Sequence, residues 1–359
     1  MEEKDNLDRH LGDIFLGEIH IGNLSGLFQN LIIDTEISLN FVADEEGPKL
    51  YHYDRKKYYS ISTTIKDCIF KNNVSIDNIS NGIIFENCKF EKKLVINLKQ
   101  AKNISYTKTD TDSQTGEPYE IVTNIDLSKE KIQVIGGKIE TLEIEDSTFE
   151  SKFYINAQDT DSNKKLEITK LIIKNTVFNQ NFKLHNCNID YITIEDTNFE
   201  KNADFFHTEI AKGSEQNYND KTIPKNSIVF KSINFRGLAI FGDTEFQEKL
   251  VFKYVTFEGL SHFRNAKFYK GLDLDYSNIQ EEMNFFNVSE LNNTISKQNT
   301  SQETYRIIKH NFELIGNKIE ANKYHALELE QKKNNLEDEI KKTTADKKIK
   351  LWFDSIVFV

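Results

Sequence analysis

The sequence has little proline, methionine, tryptophan or cysteine: its 359 residues include three Pro, two Met, one Trp and three Cys. An odd number of cysteines without Cys-x-x-Cys spacing does not build a disulfide framework and favours a reducing compartment. The N-terminal stretch MEEKDNLDRHLGDIF has neither the basic start nor the apolar core of a secretory signal. We therefore expect a cytoplasmic protein.

The sequence also lacks the motifs that carry common chemistry. It contains no P-loop, no Gly-x-Ser-x-Gly, no dinucleotide-binding glycine motif after a long strand, and no His-Glu-x-x-His among its eight histidines. The acidic pairs Asp273/Asp275 and Glu281/Glu282 are expected to be solvated surface residues. These absences predict a protein without catalytic residues, cofactor or metal.

Positive charge is in deficit, with 46 Lys and Arg against 57 Asp and Glu and a net charge of −11. The excess acid lies before residue 300, while the C-terminal segment is nearly balanced. An acidic surface disfavours direct nucleic-acid binding, which needs clustered Lys and Arg. It leaves three alternatives: solubility, basic protein partners, or imitation of nucleic acid.

Phenylalanine is abundant, with 26 copies, and falls at a regular rhythm. Between residues 230 and 285 a large apolar residue recurs every five or six positions, and the residue two positions before each is small or apolar. The large residues are Phe230, Phe235, Phe241, Phe246, Phe252, Phe257, Phe263, Phe268, Leu274, Ile279 and Phe285. From Ile233 onward their partners are Ile233, Ala239, Thr244, Leu250, Val255, Ser261, Ala266, Leu272, Ser277 and Met283.

This spacing fits neither an amphipathic helix nor an ordinary long strand. Two inward residues separated by one outward residue are typical of a short extended segment, because side chains alternate faces along a strand. Polar or Gly/Asn-rich residues then turn the chain. Four such units would close a coil of about 22 residues between 233 and 285, and coils would stack at about 4.8 Å. The large residues, aromatics included, would fill the inside.

The same register appears upstream, with gaps, from about residue 12. DCIFKNNVSI (67–76) and NCKFEKKLVI (87–96) match at an offset of one coil. Cys68, Cys88 and Cys187 each lie two positions before a large residue, so we expect three buried thiols that pack as small apolar groups.

Units with a small residue two positions before a central Leu or Phe resemble the pentapeptide-repeat family. The resemblance implies a mainly β fold: a right-handed four-sided β-helix, here over residues 1–290, with a C-terminal α-helical cap. Polar segments interrupt the register and are expected to project as loops; they span 42–58, 106–119, 157–166 and 211–227, and contain all three prolines.

After the repeats, residues 291–345 have helical spacing and predict a helical hairpin with a turn at Gly316-Asn317. The first helix is expected to cap the open end of the β-helix, while the second has heptad-like steps suited to a homodimer. The residues expected to cap or assemble are Tyr305, Ile308, Phe312, Ile315, Leu329, Leu336 and Ile340. The second helix is expected to use Ile319 and Ala326 as well.

The segment 346–359, ending KKIKLWFDSIVFV, places lysines before an apolar stretch with a tryptophan, as at the cytoplasmic face of a membrane. It is too short to span a bilayer. The residues expected to contact a membrane are Trp352, Phe353, Ile356 and Phe358. The helix pair before this segment is similar to segments that precede the membrane region in some pentapeptide-repeat membrane proteins.

Together these features predict a non-enzymatic protein-recognition or scaffold β-helix at the inner face of the cytoplasmic membrane. Its partner would be a protein, with no direct nucleic-acid binding. Two alternatives remain open. Some members of the family resemble B-form DNA and act on topoisomerases, which makes an acidic DNA mimic one alternative; the other is the sensor domain of a bacterial membrane effector or channel.

Overall fold

The computed structural model describes residues 9–10, 28–29, 31–33, 36–41, 49–52, 57–60, 64–79, 83–98, 100, 103–111, 118–157, 165–213 and 223–342. Within these ranges the chain is mainly β-strand, followed by helices. The strands before the middle of the chain are β1 (Arg9–His10), β2 (Phe28–Gln29), β3 (Leu31–Ile33), β4 (Ile37–Phe41), β5 (Lys49–His52), β6 (Lys57–Ser60), β7 (Thr64–Lys66), β8 (Ile69–Phe70), β9 (Val74–Ile79), β10 (Ile83–Glu86), β11 (Lys89–Ile96), β12 (Asn103–Thr111) and β13 (Pro118–Asp126).

A short 3-10 helix, Leu127–Lys129, precedes the second half of the strands. They are β14 (Lys131–Ile135), β15 (Lys138–Glu145), β16 (Thr148–Phe149), β17 (Lys152–Ile155), β18 (Leu166–Phe178), β19 (Phe182–Leu184), β20 (Cys187–Phe199), β21 (Ala203–Asp204), β22 (Glu209–Gly213), β23 (Ile228–Phe235), β24 (Ala239–Ile240), β25 (Glu245–Phe246), β26 (Leu250–Phe257), β27 (Ser261–His262), β28 (Lys267–Phe268), β29 (Leu272–Ile279) and β30 (Met283–Asn284). The helices are α1 (Thr294–Asn299), α2 (Gln302–Leu314) and α3 (Lys318–Lys342).

Nearly all strand pairs are parallel, and most strands pair with the equivalent strand of a neighbouring coil. One sheet runs β2-β7-β10-β14-β17-β19-β21-β24-β27-β30, and a second contains 18 strands. Leu250 pairs with Leu272, and Asn265 bonds to Asp243, 22 residues earlier. The coils of this block therefore have the length expected from the sequence. Parallel sheets stacked in this way form a solenoid.

The interior of the solenoid is a continuous column of apolar side chains. Phe241, Phe263 and Phe285 stack with ring centroids 4.9 and 5.3 Å apart, close to the spacing of neighbouring strands. The remaining predicted inward residues that are fully buried are Phe230, Phe235, Phe246, Phe252, Phe257, Phe268 and Leu274. Ile279 packs against this core but is only partly buried, because its strand β29 pairs with β26 and with no later strand among those described.

The small inward positions have a second role, because a hydroxyl or thiol there donates to the carbonyl two residues earlier. Cys187 Sγ donates to His185 O at 3.1 Å, and Thr197 Oγ1 donates to Glu195 O at 2.8 Å. Cys68 and Cys88 follow the same pattern. All three thiols are free and buried. Burial raises the pKa of Cys187, and hydrogen bonding to Cys68, together with burial, raises that of Cys88, so thiolate chemistry is disfavoured.

The corners of the coils contain residues with left-handed backbone angles. Asp243, Asn265 and Asn287 have φ of 53°, 60° and 56°, and short polar side chains tolerate this region best. Their side chains form a ladder: Asn287 Nδ2 donates to Asn265 Oδ1, and Asn265 Nδ2 donates to Asp243 Oδ1, both at 2.9 Å. The ladder links the same corner of three coils.

Two of the expected loop segments contain strands. Residues 106–111 and 118–119 belong to β12 and β13, which pair antiparallel, and segment 42–58 includes β5, which pairs antiparallel with β4 and β6. The parallel ladder continues past the hairpin, since β10 pairs with β14. The other two segments, 157–166 and 211–227, include residues 158–164 and 214–222, which lie outside the described residues.

The first two helices cover the last coil, and their polar side chains bond its free backbone groups. Thr300 Oγ1 accepts from Leu272 N (3.2 Å), Thr304 Oγ1 from Leu274 N (2.9 Å), and Asn311 Oδ1 from Met283 N (2.7 Å); Ser296 Oγ donates to Phe268 O (2.8 Å). These contacts satisfy an edge that otherwise invites strand addition.

The apolar face of α2 consists of Tyr305, Ile308 and Phe312, all buried. Ile315 was expected on this face, but it is 59% exposed. The reason is that α2 ends at Leu314 and Ile315 is its C-cap, so the chain has already left the helical path before the turn at Gly316.

Helix α3 contacts α2 through a face other than the heptad-like one that the sequence suggests for assembly. Its buried apolar residues are Ala321, Tyr324 and Leu327, and the Tyr324 ring stacks on Phe312 with centroids 5.5 Å apart. Arg306 and Lys309 of α2 pair with the buried Glu328. Ile319 and Ala326 are exposed, and Leu329, Leu336 and Ile340 are partly exposed.

Candidate protein-interaction wall

Four consecutive strands of one sheet, β21, β24, β27 and β30, form a wall near the C-terminal end of the solenoid. Ala203 pairs with Ala239, Ala239 with Ser261, and Ser261 with Met283, so equivalent side chains of the four coils lie side by side. We call this surface the β21–β30 wall. Coil by coil, its outward residues are Asn202, Asp204, Phe206; Leu238, Ile240, Gly242; Leu260, His262, Arg264; and Glu282, Asn284, Phe286.

The wall is rich in exposed apolar side chains. Phe206, Leu260 and Phe286 are 38%, 53% and 49% exposed, and Leu238 and Ile240 lie among them partly exposed. Exposed apolar clusters with a polar border mark interaction sites on soluble proteins. Here the border is Asn202 and Asp204 on one side and Glu282 and Asn284 on the other.

The expectation that aromatic residues lie inside is therefore wrong for two phenylalanines. Phe205 and Phe285 are buried, and Phe206 and Phe286 follow them directly. Because side chains alternate along a strand, the second residue of each Phe-Phe pair must face outward. The doubled phenylalanines at 205–206 and 285–286 were the sequence signal that could have identified them.

Both outward phenylalanines have a fixed backbone. Asp204 Oδ1 accepts from Phe206 N at 3.1 Å, and Asn284 Oδ1 accepts from Phe286 N at 2.8 Å. Such side-chain turns hold a loop residue in one conformation. The His185 ring packs edge-on against Phe206 at 5.9 Å, and its Nε2 lies 2.8 Å from Asp204 Oδ2. The aromatic side chains are thus presented by a rigid surface.

A hollow of about 310 Å³ opens between Phe206 and Arg264. Gly242 occupies the intervening coil at the position where its neighbours carry these large side chains, and the absence of a side chain creates the gap. A Cβ at Gly242 would have its nearest neighbour, Phe206 Cδ2, at 3.4 Å. The hollow therefore results from the missing side chain at Gly242. The φ of Gly242 lies outside the left-handed region.

Polar groups meet at the far side of the hollow. The Arg264 guanidinium lies 5.5 Å from the centroid of the Phe286 ring, in cation-π geometry. His262 Nδ1 is buried and has no hydrogen-bond partner among the described residues. Burial, followed by the charge of Arg264, lowers the pKa of His262. The imidazole is consequently neutral at neutral pH, with one donor and one acceptor nitrogen.

Of the two acidic pairs expected to be solvated surface residues, Asp273 and Asp275 make structural contacts. Asp273 Oδ2 accepts from Lys249 Nζ at 2.7 Å, and Asp275 Oδ1 accepts from the hydroxyl of Ser301, the N-cap of α2. Glu281 and Glu282 are exposed. Within the described ranges no three His, Cys, Asp or Glu side chains are grouped as a metal site would need.

The predicted membrane-contact residues Trp352, Phe353, Ile356 and Phe358 lie outside the described residues. Among the helices that are described, none combines the length and apolar character that crossing a membrane requires.

Comparison with known proteins bears on the block that contains the two central strands of the wall, β24 and β27. Residues 230–278 match the family model for pentapeptide repeats (9 copies). Comparisons with curated proteins and with solved structures gave no match. The repeat identity therefore rests on the coils that carry Leu238, Gly242, His262 and Arg264.

Proposed function

Because residues 230–278 are pentapeptide repeats, we propose that this solenoid is a non-enzymatic protein-recognition scaffold and that the β21–β30 wall binds its partner. A solenoid of packed coils is suited to presenting a long rigid surface. The proposal rests on the exposed apolar side chains of four adjacent coils, which include Phe206, Leu260 and Phe286.

The distribution of charge favours protein recognition over imitation of DNA. Opposite charges alternate between coils, as in the pairs Lys66–Glu86, Lys93–Glu143, Arg236–Glu200 and Lys270–Glu248. A DNA mimic needs a continuous negative field like that of the phosphate backbone. Cations interspersed on the surface lower that field.

The proposal includes three finer features. A right-handed, four-sided coil is supported by the family resemblance and by the regular left-handed corners. Location at the inner face of the cytoplasmic membrane is supported by the basic and apolar composition of residues 346–359. A homodimer through α3 is supported by the partly exposed Leu329, Leu336 and Ile340 on one helix.

Site-specific photo-crosslinking tests the proposed wall. The full chain would carry a photoreactive phenylalanine analogue at position 260, and a matched control would carry it at position 276; Leu260 and Tyr276 are similarly exposed, at 53% and 61%, but belong to different sheets. In extracts of the source cells, we expect discrete protein adducts with the position 260 probe that are absent with the position 276 probe. Identical adduct patterns, or adducts at neither position, would contradict the proposal.

A further inference from the structure

Arg264 has no carboxylate partner among the described residues. Ion pairs across coils occupy other surface cations, such as Arg236 with Glu200 at 2.6 Å and Lys267 with Glu245 at 2.8 Å. Arg264 makes no ion pair with any described residue, and its guanidinium rests on the Phe286 ring. The charge is therefore held in one place by an aromatic surface and remains accessible to an anion from outside.

His262 supplies a second group without a partner in the same hollow. Its buried Nδ1 points toward the gap, since a Cβ built on Gly242 would lie 3.6 Å from this atom. A buried polar atom without a hydrogen bond carries a desolvation cost that a ligand can remove. A ligand group in the gap would thus lie near both His262 Nδ1, which lacks a hydrogen-bond partner, and the unpaired Arg264 guanidinium.

Apolar residues line much of the rest of the hollow. Phe206, Leu238, Ile240 and Gly242 belong to its lining, together with the polar Asp243 and Asn265. A volume of about 310 Å³ is at the small end of ligand sites, which start near 300 Å³. It suits one large side chain with its adjoining backbone better than a cofactor.

From this arrangement we infer that the hollow binds a peptide segment of a partner protein in which a large apolar side chain is adjacent to a carboxylate. The apolar side chain fills the gap over Gly242 beside Phe206, and the carboxylate pairs with Arg264. A backbone group of the segment hydrogen-bonds His262 Nδ1. This inference rests on the proposed function, because it specifies what the β21–β30 wall recognises.

The charge of the hollow indicates which kind of peptide segment binds in it. A cation that is stacked and unpaired selects for an anion, and the apolar side of the hollow excludes a purely polar ligand. Asp243 at the corner next to Gly242 is already an acceptor for Asn265; its charge repels phosphate-rich ligands more than a single carboxylate. A nucleic acid is therefore disfavoured relative to an acidic peptide.

Defined peptides test the inference by fluorescence anisotropy with the full chain. The probes are labelled octapeptides, Gly-Ser-Gly-Trp-Asp-Gly-Ser-Gly and two matched forms with Asn or Lys in place of Asp. We expect the Asp peptide to bind about tenfold more tightly than the Asn peptide, the ratio for one charge-assisted pair worth about 1.4 kcal/mol. Equal binding of the Asp and Asn peptides, or no binding at millimolar concentration, overturns the inference.

Two variants test the contributions of the Arg264 cation and of the gap over Gly242 separately. Arg264→Glu should abolish the preference for Asp and favour the Lys peptide, while Gly242→Leu should weaken all three peptides by filling the gap. Lys333→Glu makes the same charge change on the exposed surface of α3 and should leave binding as in the wild type. Unchanged thermal unfolding of Arg264→Glu shows that the fold is kept.

The remaining outcomes distinguish the inference from the function it rests on. The inference is refuted if the Arg264→Glu variant still binds the Asp peptide more tightly than the Asn peptide. Sedimentation of the full chain tests a second copy as the occupant: a dimer broken by Arg264→Glu, without peptide binding, also refutes it. If adducts at position 260 persist while no peptide binds, the inference fails and the proposed function stands; if those adducts are absent, the proposed function itself fails.

Discussion

Removing one ring from the interior column tests the assignment of inward and outward phenylalanines. The Phe263 ring is fully buried between Phe241 and Phe285, nearly parallel to both. Truncating a buried Phe to Ala costs about 3–5 kcal/mol. Because stacked aromatic pairs add about 0.5–1.5 kcal/mol beyond the burial of the ring, the loss of stability in Phe263→Ala should lie at the upper end of this range of about 3–5 kcal/mol. Phe286→Ala removes a half-exposed ring and an exposed cation-π contact, worth about 0.5–1 kcal/mol.

The assay is urea unfolding of the two variants and the wild type, followed by far-UV circular dichroism, with limited proteolysis in parallel. Proteolysis is needed because coils contact only their neighbours and can open locally. We expect a loss of about 4–5 kcal/mol for Phe263→Ala, with new cleavage sites in the surrounding coils. A loss below about 1 kcal/mol for Phe263→Ala, or an equal loss for Phe286→Ala, would refute the register.

Three further predictions concern close packing, the cap and pH. Gly237→Ala should lower the free energy of unfolding by about 1–3 kcal/mol, since its Cβ would lie 2.5 Å from the backbone of the previous coil. Gly242→Ala, whose Cβ would make only ordinary van der Waals contacts at 3.4 Å and beyond, should change it by less than about 1 kcal/mol in the same urea assay. Asn311→Ala should cost about 1–3 kcal/mol by leaving the buried Met283 N–H without its acceptor, and hydrogen exchange at Met283 should accelerate; unchanged exchange would contradict the contact. Burial raises the pKa of Tyr305 from 10.0 to about 12. Because the folded state holds this proton more tightly than the unfolded state, the stabilising contribution of Tyr305 is complete below pH 10 and is lost as the pH rises to about 12. The free energy of unfolding should fall by up to about 3 kcal/mol over this range. Tyr305→Phe should reduce this alkaline loss in unfolding measured from pH 9 to 12, and an identical pH profile in both proteins would contradict it.

Much of the interior could be predicted from sequence because the alternation of side chains is a local property of extended chain. Knowing that Phe257 faces inward is enough to place Val255 inside and Thr256 outside. The same regularity fixed the coil length between 233 and 285. None of these inferences requires knowing which distant residues are neighbours.

The hollow could not be predicted, because it depends on which coils are stacked. Phe206 lies beside Gly242 only because the polar insertion lengthens that coil: Leu238 N donates to Asn202 Oδ1, 36 residues earlier. The next coil brings Arg264 to the other side after 22 residues. A uniform repeat length would have paired Phe206 with the wrong neighbour.

The helical segment shows a different limit. The spacing of apolar residues in α3 suggested a face through Ile319 and Ala326, yet the face in contact with α2 is centred on Tyr324. An aromatic stack with Phe312 and the buried ion pairs of Glu328 outweigh the aliphatic pattern. Hydrophobic periodicity identified the helices but not the rotation of the second one.

The position of the cap at the C-terminal end of the repeats has a consequence for synthesis. Coils form in the order in which they leave the ribosome, and each newly completed coil exposes unpaired backbone groups. The side chains that satisfy the last edge, from Ser296 to Asn311, emerge after the coils, a delay of a few seconds at about 5–20 residues per second. During that interval the nascent edge presents unpaired backbone groups to which a strand from a neighbouring nascent chain can add.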